Sequence, residues 1–521
     1  SYLLQRLLYT ARTDISRFFI LFFVLLKIEW YTLGKNNSIM KFKNKILIIG
    51  YGSVAKCTIP ILLRHIDIPY KNITIIDFVD KRKELQPWLK KGIKYFQERV
   101  TPININQLLS KYVSAGGLVI DLAWNIECID MLNWCHDNKV LYINTSVEEW
   151  DPYAGIHNKS AFKKSLYYKQ MQIREVVSKW NNGTMTAVLD HGANPGLISH
   201  FTKKGIMDIA SKYARDKSLP KDQAKNMRRL MDAKNFARMA MALGIKVIHV
   251  SELDTQITNR PKEVDEFVGT WSIEGLREEG ISPSEMGWGT HEKDISLTHS
   301  TPPYGPGNQI FLSQMGMNTW VRTWVPYREI VGMVIRHAEA FSISDHLTVY
   351  EKGAVSYRPT VHYAYTPCNE TIASLHELRA RNYELQEKQR IMSDEITGGE
   401  DILGALLMGH KYNSWWTGSM LSIEESRKLV PHQNATTMQV AIGVVSGIMW
   451  MIENPDKGVH SPDALPYDYI LGIARHYLGK MVSEPSDWTP MKNYHVFFKG
   501  NPAAQLDKRN MWCFDNFLFK D

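Results

Sequence analysis

Residues 45–55 read Lys-Ile-Leu-Ile-Ile-Gly-Tyr-Gly-Ser-Val-Ala, and the next apolar run, Ile73-Thr-Ile-Ile-Asp77, ends in an acid. The first apolar run fits a buried strand that opens into the pattern G-x-G-x-x-A and then into a helical pattern. Gly50 permits a tight turn, Gly52 lets main-chain N–H groups approach a phosphate, and Ala55 keeps the helix close to the sheet. Strand, glycine turn, helix, second strand and acid in this order predict a dinucleotide-binding fold.

The acid at the end of the second run predicts which dinucleotide binds. The carboxylate of Asp77 can accept hydrogen bonds from an adenosine ribose. Its negative charge would repel a 2′-phosphate. The sequence therefore predicts NAD rather than NADP as the cofactor.

The charge and cysteine content exclude several classes of protein. The net charge is +8, and residues 1–44 supply +5 of it with seven Lys and Arg against two Asp and Glu. The rest of the chain is close to neutral and has no basic stripe interleaved with aromatic residues, so no nucleic-acid partner is expected. Five scattered cysteines give neither a disulfide framework nor a paired metal signature. This pattern predicts a cytoplasmic protein with no metal site.

Residues 1–39 are predicted to be an N-terminal extension without a functional role. Phe18 to Leu26 is a nine-residue apolar run, too short for a membrane-spanning helix, which needs roughly 20 residues. No small-residue cleavage site of a signal peptide follows it. A membrane-surface anchor is the alternative interpretation of this segment; otherwise no membrane partner is expected.

The fold class predicted from the pattern is α/β. Short β-branched runs alternate with amphipathic stretches as far as residue 190, which is typical of a parallel sheet with crossover helices. The loops after Ala123, Asn144 and Asp190 follow strand ends, where ligands bind in such sheets. The predicted strands are 45–49, 73–77, 93–96, 118–123, 140–144 and 185–189, and the predicted helices are 53–65, 104–114, 127–138 and 161–179.

From about residue 246 the pattern changes to strand-like alternation, which predicts a second, mainly antiparallel α+β domain for catalysis and dimerisation. A polar helical pattern covers 371–392, and late apolar helices near 435–453 and 467–480 are expected to pack on the core or at a subunit interface. The resulting division is 1–39 extension, 40–190 Rossmann-type NAD-binding domain, 191–420 catalytic domain and 421–521 C-terminal helical segment.

Six further segments are long or unusual enough to compare with known families. Together with the glycine turn they resemble the bacterial-type homospermidine synthases, which are related to the saccharopine and carboxynorspermidine dehydrogenases. The resemblance runs from about residue 43 to the C-terminus. The segments are Asn144-Thr-Ser-Val-Glu-Glu-Trp150, Gly192-Ala-Asn-Pro-Gly196, His249-Val-Ser-Glu-Leu-Asp-Thr-Gln256, Gly269-Thr-Trp-Ser-Ile-Glu-Gly275, Gly287-Trp-Gly-Thr-His-Glu292 and Ile335-Arg-His-Ala-Glu-Ala-Phe-Ser-Ile-Ser-Asp-His346.

The resemblance implies an aminobutyl transferase that makes homospermidine and ammonia from two putrescines. In that reaction one amine carbon gives a hydride to NAD, and the same cofactor later reduces the new Schiff base. The implied partners are small polyamines, with putrescine first and spermidine as a further candidate. The late apolar helices add a second copy of the chain in a homodimer as an expectation.

Five residues are the candidates for catalysis. Glu148 could hold an ammonium group or take its proton, and Glu252 could bind the amine. Trp271 offers an indole face that stabilises a passing cation, with Glu279 fixing the other end of the diamine. His337 could shuttle protons near neutral pH. The structural alternatives are a solvated loop acid for Glu148, a surface acid for Glu252, a core indole for Trp271 and a buried, satisfied histidine for His337.

The predicted cofactor contacts extend beyond the glycine turn. Asn194 fits a turn beside the nicotinamide, which Pro195 makes rigid. Asn125 departs from the family pattern, in which an acid stands at this position. This leaves open whether position 125 contributes charge or only a hydrogen bond to the cofactor. The full predicted set is Gly50, Gly52, Ser53, Val54, Asp77, Asn125, Thr145, Ala193, Asn194 and Pro195.

Two other functions remain open at the level of sequence. A carboxynorspermidine or saccharopine-type reductase would need an arginine for a substrate carboxylate, and Arg322, Arg336 and Arg358 are available. A catalytically silent NAD-binding regulatory protein would need the glycine turn but not the convergence of Trp271 and its acidic partners.

Overall fold

The structure is a computed structural model that describes residues 39–155, 158–180, 185–293, 295–493 and 506–519. Nearly all of the predicted N-terminal extension, residues 1–38, lies outside the described residues. The described chain forms two large sheets, the first mainly from residues before 190 and the second from residues after 246, with helices packed against both.

The first sheet has seven strands, and all of its pairs are parallel. Its inner strands are buried because helices cover both faces, which explains their largely apolar sequences, whereas the edge strand Lys94–Gln97 is mostly exposed. The strand order reverses between Ile46–Ile49 and Leu118–Asp121, as in a Rossmann-type fold, so the predicted fold class is confirmed. Across the sheet the strands are Lys94–Gln97, Ile73–Asp77, Ile46–Ile49, Leu118–Asp121, Leu141–Asn144, Ala187–Val188 and Val459–His460.

The helices of this half follow the amphipathic pattern closely. The first helix has both of its predicted ends, whereas the predicted helix 161–179 begins later, at Leu166. The reason is that the Ser165 hydroxyl accepts a hydrogen bond from the N–H of Tyr168 at 3.1 Å and caps the helix there. These helices are Ser53–His65, Arg82–Leu89, Ile105–Tyr112, Cys128–Asp137 and Leu166–Ser178.

The second sheet has ten strands and is mainly antiparallel, as predicted. Only Thr360–Thr366 and Val247–Asp254 pair in parallel among its described strands. Its main path runs through His299–Ser300, Gln309–Met315, Pro283–Gly287, Thr360–Thr366, Val247–Asp254, Glu400–His410, Asn413–Ser422 and Lys480–Ser486, and the hairpin Trp320–Val325 and Arg328–Met333 joins beside Thr360–Thr366.

Nine further helices and several short strand pairs complete the described chain. The helices are Leu197–Arg215, Lys221–Asp232, Phe236–Leu243, Ile273–Ile281, Ala338–His346, Asn369–Ala380, Ile423–Leu429, Ala435–Glu453 and Tyr467–Ala474. The short pairs are Met40–Lys41 with Ile66–Asp67, Ile257–Thr258 with Ile396–Gly398, Glu266–Gly269 with Lys388–Ile391, and Val349–Glu351 with Ala354–Tyr357.

Two predicted helices end earlier than their sequence patterns. The pattern over 371–392 was wrong beyond Ala380, because Asn382 and Tyr383 adopt φ values of +54° and +67° and break the helix. The pattern over 467–480 stops at Ala474, and Gly479 with φ +57° leads into the strand Lys480–Ser486.

The last hundred residues are shared between the two sheets. Val459–His460 completes the first sheet, and Lys480–Ser486 borders the second. The helix Ala435–Glu453 is long and apolar enough to cross a membrane, yet 89% of its most apolar stretch is buried inside the protein. It packs against Ser53–His65 as a core helix. The domain boundaries at 190 and 420 stay predictions.

Candidate functional site

The first strand of the parallel sheet ends in a turn that favours glycine. Gly50 has φ +87°, and a Cβ here would lie 2.9 Å from the main-chain oxygen of Leu122. Gly52 is the N-cap of helix Ser53–His65 and has no side chain to cap it, and a Cβ on it would meet nothing within 4 Å. The first-turn N–H groups are therefore left uncapped at an open position, as the pyrophosphate of a dinucleotide requires.

Asp77 lies at the end of the neighbouring strand and is almost completely buried. Its Oδ2 accepts a hydrogen bond from the N–H of Tyr51 at 2.7 Å, and its Oδ1 accepts one from the N–H of Val79 at 2.8 Å. These bonds hold the carboxylate beside the glycine turn, where the ribose of a dinucleotide lies in this fold. The residues present therefore fit NAD.

Asn125 lies in the loop after the next strand of the sheet. It has φ +61°, and its buried Oδ1 finds no hydrogen-bond partner among the described residues. A buried acceptor without a partner is the exception in proteins and is a position where a bound donor would fit. Asn125 thus offers a hydrogen bond but no charge in this loop.

A cavity lies where the two sheets meet. The loops after Asp121, Asn144 and Val188 contribute to its wall, as the strand ends predicted. The predicted cofactor residues Gly50, Gly52, Ser53, Asp77 and Asn125 lie along the adjoining sheet edge and not in the wall itself. The predicted residues in the wall are Val54, Thr145, Ala193, Asn194, Pro195, Glu148, Glu252, Trp271, Glu279 and His337.

Glu252 reaches the cavity from strand Val247–Asp254 and is 2% exposed. Its carboxylate accepts hydrogen bonds from the Asn194 amide, at 2.6 Å, and from the Tyr363 hydroxyl. Burial raises the pKa of Glu252 above its ordinary value, with Asp254 adding to the effect. A cation bound here would favour the ionised form, so Glu252 is suited to hold an ammonium group.

Trp271 is fixed at its edge and presents its ring to the cavity. Its indole N–H donates to the hydroxyl of Tyr365 at 3.1 Å, and Tyr365 stacks on Tyr363 with the ring centres 5.3 Å apart. Strand Thr360–Thr366 therefore positions both the indole and the carboxylate of Glu252. A Cβ on Gly275 would lie 3.2 Å from the Trp271 ring, so a glycine lets the helix approach the indole closely.

His337 lies between two carboxylates and is 5% exposed. Its Nε2 is 2.9 Å from Glu279 Oε2, and its Nδ1 is 3.3 Å from Glu339 Oε1. Burial alone would lower the pKa of His337, but Glu279 and Glu339 outweigh it and raise the pKa well above the ordinary value. The two carboxylates thus favour the protonated ring, and the proton shuttle near neutral pH stays a prediction.

Glu148 lies in the loop after strand Leu141–Asn144 and lines the same cavity as Glu252. The Ser146 hydroxyl donates to its Oε1 at 2.5 Å. Burial, and then the nearby Glu278, raise the pKa of Glu148. The structure therefore differs from the alternative of a solvated loop acid.

Three charged residues of the wall, Lys169, Asp190 and Glu278, were missed by sequence reasoning, and Arg336 was considered only for a substrate carboxylate. Glu278 forms an ion pair with Arg336, and Lys169 Nζ lies 3.6 Å from Glu278. Asp190 accepts a hydrogen bond from Gln170 at 2.9 Å, and burial raises its pKa to about 7. Only Asp190 had a sequence signal, because it starts one of the loops predicted to carry chemistry.

The three arginines considered for a substrate carboxylate are all engaged. Arg336 is the only one in the cavity wall, and it is paired with Glu278. Arg322 lies 2.7 Å from Glu329. The Arg358 guanidinium donates to main-chain oxygens of the 306–307 turn at 3.0–3.1 Å. Arg336 is therefore the one arginine that the described cavity wall offers to a carboxylate ligand, and both of its terminal nitrogens are already engaged, by the Lys164 main-chain oxygen and by Glu278.

The charge balance of the wall indicates the kind of ligand that fits. Carboxyl groups outnumber cations among the described wall residues, and two of the cations, Lys169 and Arg336, contact Glu278. The indole of Trp271 supplies an apolar and cation-tolerant surface. The arrangement suits a small alkyl chain with a positive charge at each end, next to a dinucleotide edge.

Family models cover both sheets of the protein. The saccharopine dehydrogenase NADP binding domain matches residues 46–188, and the saccharopine dehydrogenase C-terminal domain matches residues 192–487. The fold and the site thus define a nucleotide-dependent enzyme of the saccharopine dehydrogenase class.

Individual proteins similar to this chain show which family within that class it belongs to. The homospermidine synthase of Mesorhizobium japonicum is 36% identical over 482 residues, covering 91% of this chain and 96% of the relative. The homospermidine synthase of Blastochloris viridis is 36% identical over 483 residues, covering 91% of this chain and 97% of the relative. The crystal structure of the Legionella pneumophila homospermidine synthase in complex with NAD is 35% identical, covers 93% of this chain and 100% of its own, and has a TM-score of 0.82. The chain belongs to the homospermidine synthase family, so the predicted resemblance is confirmed.

Proposed function

We propose that this protein uses NAD to make sym-homospermidine and ammonia from two putrescines. One amine-bearing carbon is oxidised to an imine, the amine of the second putrescine attacks that carbon and displaces ammonia, and the new C=N bond is reduced. The hydride removed in the first step is returned in the last, so no net oxidant is consumed. Bound NAD supplies the hydride acceptor and donor. The cavity that joins the nucleotide edge to a carboxylate-rich, indole-lined wall carries this proposal.

The first role of the wall is to hold a flexible dication in one position. Glu252 accepts two hydrogen bonds from Asn194 and Tyr363, so its carboxylate cannot swing freely. An ammonium group bound to it is placed beside the turn at 192–196, next to the nucleotide side of the cavity. Such fixed positioning of the reacting carbon supplies a large part of the rate enhancement in enzymes.

The second role is to stabilise positive charge at the reacting carbon. The imine is more reactive when protonated, and the face of Trp271 stabilises such a cation by about 0.5–2 kcal/mol without reacting with it. Glu279 lies on helix Ile273–Ile281, which begins two residues after Trp271. It is suited to bind the far ammonium group of the diamine.

The third role is proton transfer. An ammonium group must lose a proton before its carbon can give up a hydride, and the second amine must be neutral to attack. Glu148 has a raised pKa and a hydroxyl partner in Ser146, so it is suited to accept a proton near neutral pH. The buried wall limits water, which would hydrolyse the imine.

The alternatives from the sequence fit less well. A carboxynorspermidine or saccharopine-type reductase needs a cation for the substrate carboxylate, whereas Arg336 is already paired with Glu278. An NAD-binding regulatory protein needs no convergence of Trp271, Glu279 and Glu252 on one cavity. That convergence favours an enzyme that acts on amines.

Assembly and location belong to the proposal as well. All five cysteines are free thiols, which supports a reducing cytoplasm. A homodimer was expected from the late apolar helices, but Ala435–Glu453 is buried within its own protomer, so any interface must use other surfaces. Light scattering after size-exclusion chromatography measures the assembly directly, and spermidine can be compared with putrescine as a substrate.

The test is a product assay with NAD at a much lower concentration than putrescine. We expect homospermidine and ammonia in equal amounts and many turnovers per NAD, without net accumulation of NADH. Putrescine deuterated at its amine-bearing carbons should pass its deuterium back to the product even when unlabelled NADH is added. Formation of one NADH per product, or loss of the deuterium label, would reject the mechanism in which the same bound cofactor takes the hydride and returns it.

A further inference from the structure

The geometry around His337 favours one protonation state of its ring, independently of the proposed reaction. Both ring nitrogens face carboxylate oxygens, Nε2 toward Glu279 and Nδ1 toward Glu339. An ionised carboxylate oxygen can only accept a hydrogen bond, so both ring nitrogens must donate. Only the imidazolium form can do so.

Glu339 is the partner that does not belong to the cavity wall. It is 1% exposed and lies in the first turn of helix Ala338–His346, where the helix dipole favours a negative charge. Its Oε2 has no hydrogen-bond partner among the described residues. The one described hydrogen-bond partner of the Glu339 carboxylate is therefore the ring of His337, which its Oε1 faces.

Other groups around the His337 ring also favour its protonated form. The Tyr363 ring centre lies 4.3 Å from that of His337, and the Tyr363 hydroxyl donates to Glu252. Glu252 and Asp190 both interact with the positive charge of His337. Acidic groups thus face the ring from the strands, from the helix that carries Glu279 and from its own helix.

We propose that Glu339 is a positioning residue that holds His337 as an imidazolium, so that Nε2–H occupies one oxygen of Glu279 and leaves the other free for the ammonium group of the substrate. The part that concerns the substrate rests on the proposed function; the part that concerns the charge of His337 does not. In this arrangement His337 neither accepts nor shuttles a proton. It sets the direction of the carboxylate that binds the amine.

Replacing Glu339 with glutamine tests this assignment. The amide oxygen can still accept from Nδ1–H, but the negative charge is gone, so His337 loses its second proton at a lower pH. The bare Nε2 then faces Glu279, and the two lone pairs repel each other. Glu279 must rotate or take up a proton, and either change weakens amine binding.

The matched control is Glu370→Gln. Glu370 occupies the same position in the first turn of helix Asn369–Ala380 and also has a buried Oε2 without a described partner. The described hydrogen bonds and ion pairs of His337 go to Glu279 and Glu339 and not to Glu370. Both variants lose one favourable interaction with a helix dipole. Only Glu339→Gln should affect the histidine.

The first readout needs no turnover. In protein with bound NAD and ¹⁵N-labelled histidine, long-range ¹H–¹⁵N correlation spectra should show both nitrogens of His337 protonated from pH 6 to 9. Glu339→Gln should lose this signature within that range, Glu339→Asp should retain it, and Glu370→Gln should leave it unchanged. A neutral ring in the unmodified protein at pH 7 would overturn the proposal whether or not the protein makes homospermidine.

The second readout is the pH profile of putrescine turnover. At pH 9 the His337 of Glu339→Gln is neutral and its charged hydrogen bond to Glu279 is lost, so the KM should rise about tenfold relative to the unmodified protein. At pH 6 the ring is protonated in both proteins, so the KM should differ little. Glu339→Asp should recover most of the loss. A KM ratio that stays constant across pH, or an equal effect in Glu370→Gln, would show a merely structural role and overturn the proposal. If no variant turns over putrescine, calorimetric binding of putrescine replaces KM.

Discussion

The two sides of the cavity are built by different means. On the nucleotide side, one continuous stretch, residues 46–77, supplies main-chain N–H groups and a single carboxylate that main-chain N–H groups hold in place. On the amine side, side-chain charges come together from far apart in the chain, as Glu148, Glu252 and His337 show. The first side therefore recognises a group common to many dinucleotides, and the second recognises one particular arrangement of charges.

This difference predicts how each side responds to substitution. A carboxylate held by main-chain bonds has few side-chain neighbours, so changing it has local consequences. The acids of the amine side share partners, as Glu278 does with Arg336 and Lys169. Removal of one charge there leaves others buried and unpaired, which is costly. Substitutions on the amine side should thus cost more activity and leave NAD binding intact.

The largest effect is expected for Glu252→Gln. Loss of a buried charge that pairs with a bound ammonium group should lower kcat/KM for putrescine roughly 100- to 1000-fold. The affinity for NAD, measured by calorimetry, should change less than about twofold, because Glu252 lies on the second sheet.

Glu285→Gln is the matched control for this variant. Glu285 is equally buried in the same sheet but accepts hydrogen bonds from the main chain at Leu166 and Tyr167, which an amide oxygen can also do in part. It does not line the cavity. Similar losses of kcat/KM in the two variants would remove the special role of Glu252.

A smaller loss is expected for Trp271→Leu. Leucine keeps an apolar surface but has no ring to stabilise a cation, so turnover should fall up to about 30-fold, and Trp271→Phe should lose less. Trp415→Leu provides the control, because the Trp415 indole N–H also bonds a hydroxyl, that of Ser483 at 3.0 Å, away from the cavity. An unchanged rate in Trp271→Leu would mean that the indole only packs.

The contrast between the nucleotide side and the amine side of the cavity also explains how much of the structure was predictable from the sequence. The helix Ser53–His65 and the acid at Asp77 follow from local signals, because turn, cap and strand end lie within a few residues of each other. The pattern over 371–392 failed because helical periodicity continues past Asn382, whereas the backbone there adopts a positive φ. Local composition does not encode that break.

The amine side was predictable only in part, and through family motifs. Glu252 and Trp271 stand in long, unusual segments, so their motifs mark them without any knowledge of where they point. Glu278 and Lys169 stand in ordinary helical patterns, and only the packing of helices Ile273–Ile281 and Leu166–Ser178 against the cavity brings them together. Which face of a helix meets a cavity is decided by tertiary contacts.

The smallest effect is expected on the nucleotide side, for Asp77→Ala. Removal of the carboxylate should loosen the turn at Tyr51 and Val79 and weaken the binding of both NAD and NADP. Their ratio isolates the charge: the preference for NAD over NADP should fall about tenfold, because the repulsion of a 2′-phosphate is lost. The measurement is the Kd of each nucleotide with the same protein. The control is Asp80→Ala, which removes an exposed acid paired with Arg82 in the same loop. If the ratio stays constant while both affinities fall, Asp77 supports the turn only, and the selectivity for NAD has another source.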